Sequence, residues 1–171
     1  MKRITTRQFF IALFAALALP GPAWSEGADM TAAHHPLAGT WTLVAADAIK
    51  PDGSAIRDYG DAPKGRLIVD ERGRYSLQIF KSERPRFASG NKAVATAAEY
   101  EAAAMGSSTH YGEVAFTPDG KLMFSIEGSS FSNWEGTQQS RQYELKDDVL
   151  SYRVPARPGG DVPISVWKRV R

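Results

Sequence analysis

Short alternating segments divided by turn residues recur from residue 39 to residue 170, and this pattern limits the fold more than any other feature of the chain. In Gly39-Thr40-Trp41-Thr42-Leu43-Val44-Ala45, the side chains of Trp41, Leu43 and Ala45 fall on one face and those of Thr40, Thr42 and Val44 on the other. Gly39 lets the backbone bend on entry, and Trp41 brings a large apolar area with one N–H that needs an acceptor once buried. Residues 65–80 read as a hairpin turning at Asp70-Glu71-Arg72-Gly73. Further strands are expected at 111–116, 121–127, 137–145, 149–154 and 162–170. The second of these alternates Leu122, Phe124 and Ile126 against Met123, Ser125 and Glu127.

Two stretches interrupt the alternation. Residues 47–63 hold Pro51-Asp52-Gly53 and Tyr59-Gly60-Asp61-Ala62-Pro63 and read as one long connection. Lys81 to Phe87 is charged and contains Pro85, which has no N–H to give a ladder. After it, Thr96 to Met105 is a helix: alanine-rich, opened by Thr96 with Glu99 three residues on, and followed by Gly106. The predicted fold is all-β, an eight-stranded up-and-down antiparallel barrel with one short α-helix between strands three and four. A sandwich satisfies the same alternation, but closure removes unpaired edges outright and leaves a lumen for side chains or one small ligand.

The chain is expected to divide into a secretory signal peptide at 1–25, a flexible lead-in at 26–36 and the barrel domain at 37–171. Lys2, Arg3 and Arg7 make a basic start, Phe9 to Leu19 is an unbroken apolar run, and small residues precede a cleavage point after Ser25. That run is well short of the roughly 20 residues that span a bilayer, so stable membrane insertion after cleavage is not expected. The destination is periplasmic or secreted. Loss of the leader turns a formal charge of +2 slightly negative, leaving no electrostatic basis for nucleic-acid binding. With no cysteine, disulfides, thiolate metal sites and thiol catalysis are excluded.

The richest candidate chemistry lies between Glu127 and Tyr143. If Tyr143 and Leu145 face inward, then so do Thr137, Gln139 and Arg141, which sets a guanidinium on the lumen wall. An inward arginine requires an anionic partner, either internal (Glu127 or Glu99) or a carboxylate- or enol-bearing ligand. Trp134, Phe124 and Tyr75 are candidate apolar walls, and Tyr59 in the first long connection is placed to fold over a ligand. His110, beside Tyr111 where a strand begins, is a weak acid/base candidate. His34-His35 cannot easily aim both rings at one metal from an extended chain, so no metal site and no cofactor are expected. There is no Gly-x-Ser-x-Gly elbow and no phosphate-cradling glycine loop.

Several pieces together resemble the lipocalin-like domain family: Leu37-Ala38-Gly39-Thr40-Trp41, Tyr59-Gly60 with Pro63-Lys64-Gly65-Arg66-Leu67, Arg84-Pro85-Arg86-Phe87-Ala88, Glu99-Tyr100, Tyr111-Gly112, Asn133-Trp134-x-Gly136-Thr137 with Arg141, and Val166-Trp167-Lys168-Arg169. The resemblance implies a calycin-type barrel in which Lys168 or Arg169 covers Trp41. It implies little about activity. Three readings follow. One is an exported barrel binding a small hydrophobic or amphipathic molecule through Arg141, Gln139, Tyr143, Trp134, Phe124, Tyr75 and Tyr59. Another is an isomerase or cyclase moving a proton with Glu127, Arg141 or His110. The last is a filled barrel acting through its surface. The sequence does not decide the oligomeric state.

Overall fold

The computed structural model describes residues 34–171. The expected leader and most of the expected lead-in lie outside the described residues. Nine strands form one sheet: β1 Gly39–Ile49, β2 Ala55–Ile56, β3 Lys64–Val69, β4 Arg74–Phe80, β5 Ser107–Phe116, β6 Leu122–Ser129, β7 Gln138–Lys146, β8 Val149–Arg153 and β9 Val162–Arg169. From β3 onward each strand pairs antiparallel with the next, and β9 returns to β1 over Trp41 to Ile49, which closes an eight-stranded barrel. β1 can serve both β3 and β9 because it is 11 residues long.

The helix, α1 Ala97–Met105, follows the fourth strand, not the third. The extra strand is β2, cut from what the sequence reading treated as a single loop. Asp52 accepts hydrogen bonds from the backbone N–H and hydroxyl of Ser54, and Gly53 takes a positive φ of 84°. This tight turn lays Ala55–Ile56 against Ala48–Ile49, outside the closed ring.

A second departure lies inside β1. Its register against β9 shifts between Leu43 and Ala45, so Trp41, Leu43, Ala46 and Ala48 point inward and Ala45 does not. Val44, at the bulge, is left 53% exposed. Another register shift at Tyr111/Gly112 in β5 depends on glycine: a Cβ at Gly112 would sit 2.0 Å from the Ser125 carbonyl oxygen.

The end of the barrel near the start of β1 is shut. Trp41 and Trp167 are fully buried, and the Trp41 indole N–H donates to the Leu37 carbonyl at 2.9 Å. Arg169, not Lys168, covers the indole, with its guanidinium carbon 4.1 Å from the ring centroid. It also donates to the carbonyls of Ala38 and Pro36, tying the last strand to the entry of the first. His35, read with the lead-in, stacks on Phe116 at 5.4 Å and accepts from the Leu37 N–H. Among the described residues no helix is long and apolar enough to cross a membrane, and no cluster of three or more His, Cys, Asp or Glu is placed to hold a metal ion.

The helix forms for local reasons. Thr96 accepts from the Glu99 N–H while Glu99 accepts from the Thr96 N–H, the reciprocal arrangement expected from their spacing. None of its residues is buried. Its C-terminal residues Ala104 and Met105 border the open end of the barrel together with Phe131.

Candidate ligand-binding site

At the end opposite Trp41 the lumen is hollow. A cavity of about 470 Å³ opens among the ends of β1, β4, β6 and β8 and the starts of β5, β7 and β9. The volume lies within the usual range for small-molecule sites. Ala46 and Ile79 wall it below, Trp134 and Phe131 come from the loop after β6, and Val154 and Ile164 come from the last hairpin. Its polar lining includes Gln139, Ser165, Ser108 and Tyr59. Tyr59 is held over the opening by backbone bonds from its N–H to Ala46 and from the Ser82 N–H to its own carbonyl. Burial pushes its phenol above the ordinary value, so it stays a neutral hydroxyl. Across the rim Arg157 donates to Asp58 at 2.5 Å, joining the connection before β3 to the β8–β9 loop.

Three of the sequence candidates line this cavity: Tyr59, Trp134 and Gln139. Four lie beneath it as buried packing. Tyr75, Phe124 and His110 form an edge-to-face cluster with ring centroids 5.0 to 6.1 Å apart, and Trp134 joins it through His110 at 6.0 Å. Arg141 completes the group, stacked 4.0 Å above Phe124 and 4.9 Å from Tyr152. Tyr143 belongs elsewhere: it faces the barrel but packs on Phe116 at 5.3 Å, toward the closed end, because two inward steps along β7 from Gln139 carry it past the cavity.

Glu127 is not a lumen residue. Inward Ile126 puts it on the outer, exposed face of β6, where it is neither a partner for Arg141 nor an acid for a ligand. Glu99 is spent on capping α1 and on accepting from the Ala88 N–H. His110 is 5% exposed and its Nδ1 lies 2.7 Å from the Tyr75 hydroxyl. Burial first, and then the neighbouring Arg141 charge, lower its pKa to about 3, so the imidazole is neutral, and its Nδ1 shares a hydrogen bond with the Tyr75 hydroxyl. A ring that resists protonation and is already partnered is poorly equipped as a general acid.

Arg141 is the unusual group. It is 2% exposed, and burial lowers its pKa from the ordinary value. Its Nη2 donates to Gln139 Oε1 at 2.9 Å, while its Nε and the Tyr152 hydroxyl are buried with no hydrogen-bond partner. Among the described residues no carboxylate pairs with it. Two aromatic faces, each worth about 0.5 to 2 kcal/mol toward a cation, are weak compensation for a desolvated charge. The guanidinium lies behind Gln139, one hydrogen bond beyond the cavity wall.

Sequence reasoning missed Asp58, Phe131, Arg157, Ser108 and Ser165. Asp58 and Arg157 stand 99 positions apart, and no local pattern joins them. Ser165 could have been found from the alternation with Trp167 on β9, which places both inward.

A closed antiparallel barrel with one plugged end and one hollow end is an architecture suited to binding small molecules. The lipocalin-like domain profile matches residues 38–170, nearly the whole described chain, and the protein belongs to the lipocalin-like domain family. No curated protein and no solved structure matches the chain.

Proposed function

We propose that this protein is an exported carrier that holds one small, mostly apolar molecule, bearing a polar or anionic group, in the open end of its barrel. The observation that carries the reading is the cavity itself: about 470 Å³ with apolar walls and a floor where Gln139 and Ser165 supply the polar contacts. Export rests on the leader-like residues 1–25 and places the carrier in the periplasm or outside the cell. The filled-barrel reading has less support, because side chains occupy the closed half of the lumen and leave the other half empty. The isomerase or cyclase reading also has less support, since its proton-moving candidates are an exposed Glu127, a partnered, neutral His110 and a buried Arg141 that donates to Gln139 behind the cavity wall.

Native mass spectrometry of the protein purified from its own host tests the proposal. The expected result is a protein carrying a discrete extra mass, which Ser108→Trp, filling the cavity from its wall, abolishes without lowering the melting temperature. A wild-type protein that emerges at the bare polypeptide mass would contradict it.

A further inference from the structure

We infer that the ligand of this barrel is a carboxylate-bearing amphiphile whose single carboxylate displaces Gln139 and is received by Arg141. The inference rests on the cavity reading above and adds the chemical class of the ligand and the direction in which it enters.

The starting point is the arginine. A buried guanidinium whose Nε lacks a hydrogen-bond partner needs an acceptor, and the described residues set only neutral oxygens against it, the Gln139 amide and the Tyr152 hydroxyl. Gln139 both lines the cavity and makes that bond, so rotation of one side chain opens the guanidinium to whatever fills the cavity. The Tyr152 hydroxyl, buried and unpartnered beside the same guanidinium, is a second donor for an incoming oxygen.

Charge narrows the class. His110, next to Arg141, is neutral, and at the rim Arg157 is paired with Asp58. Asp47, the other carboxylate of the lining, alternates with inward Ala46 and Ala48 on β1 and so faces away from the floor. One positive charge therefore awaits one negative charge. A planar monoanion matches the guanidinium fork, whereas a phosphate dianion would bring a second charge into a low-dielectric floor with nothing to meet it. The apolar walls between Arg141 and the mouth, Ile79, Trp134 and Val154 among them, require that the rest of the molecule be apolar. The carboxylate goes in first and the tail points toward Phe131 and Met105 at the opening.

Calorimetric titration with decanoate and 1-decanol separates this inference from the cavity reading, because the two probes differ only in the head group. Wild-type protein should prefer decanoate by about tenfold or more, the size expected for charged over neutral hydrogen bonds. Arg141→Met should remove that preference and keep decanol binding. Equal affinity of the wild type for both probes leaves the carrier reading standing and overturns the carboxylate assignment, whereas binding of neither probe overturns both. Should Arg141→Met fail to fold, the wild type alone decides through the NMR signal of the Arg141 Nε–H. Decanoate should move that signal and decanol should not, and an equal shift from acetate would make this a site for any small anion and defeat the amphiphile assignment.

Discussion

His110 shows how a single buried side chain ties the lumen to pH. Its pKa is lowered to about 3 in the folded barrel, against 6.5 ordinarily. Above 6.5 the ring is neutral in both folded and unfolded chains and adds no pH dependence. Below 6.5 the unfolded chain takes up a proton that the barrel refuses, so stability falls as pH drops through the window from 6.5 toward 3. The loss runs at up to about 1.4 kcal/mol per pH unit. His110→Gln, whose amide can accept from or donate to the Tyr75 hydroxyl, should therefore show a shallower acid slope in denaturant unfolding across that window. Identical slopes would mean that the histidine titrates normally. Trp41 makes a simpler residue-scale case, since its ring is fully buried and its N–H is satisfied. Trp41→Ala should cost about 3 to 5 kcal/mol in the same assay, and a loss below about 1 kcal/mol would show that the indole does not plug the floor. Much at this scale was legible beforehand. The Trp41 plug follows from alternation, and so does the inward Arg141 once Tyr143 and Leu145 are placed inside. Reading Glu127 as an internal partner or acid goes against the alternation along β6, which turns it outward when Phe124 and Ile126 are inside. The partner of Arg141 was not legible, because choosing between an internal carboxylate and a ligand requires knowing what lies across the lumen.

At the scale of elements, α1 and the barrel strands are held by different forces. α1 buries no residue and depends on its capping box, whereas the strands share a continuous core. Thr96→Ala should therefore cost about 1 kcal/mol of local helix stability. Amide hydrogen exchange should quicken across residues 97–105 while the melting temperature of the barrel holds. A drop in global melting comparable to a core truncation would show the helix to be part of the cooperative unit. The helix was readable because its signals are local: Thr96 and Glu99 three apart, alanines between, Gly106 after. Strand β2 and the two register shifts were not, for the opposite reason. A bulge is fixed by how a partner strand runs, so the sequence alone carried Ala45 inward where the pairing with β9 brings Ala46.

The molecule as a whole is a ring closed between its first and last long strands, with Arg169 fastening the shut end and a cavity at the other. Closure was expected from the number and spacing of strands, whereas the sequence left both a hollow and a filled lumen open, because that depends on how far the inward side chains reach. Tyr75, Phe124, Tyr152 and Arg141 fill the middle, and above them the inward positions shrink to Ala46, Ser165 and Gln139, which leaves space. That gradient from large to small is the physical origin of the site. The rim was harder still, since Asp58 and Arg157 meet only because β1 and β9 do. The most direct test is to follow the indole N–H signals of Trp41, Trp134 and Trp167 by NMR while 1-decanol is added. A cavity bordered by Trp134 predicts that its signal shifts and saturates while those of the two buried floor tryptophans stay in place. No shift at Trp134, or a shift at Trp41 in its stead, would contradict a binding site in the open end of the barrel.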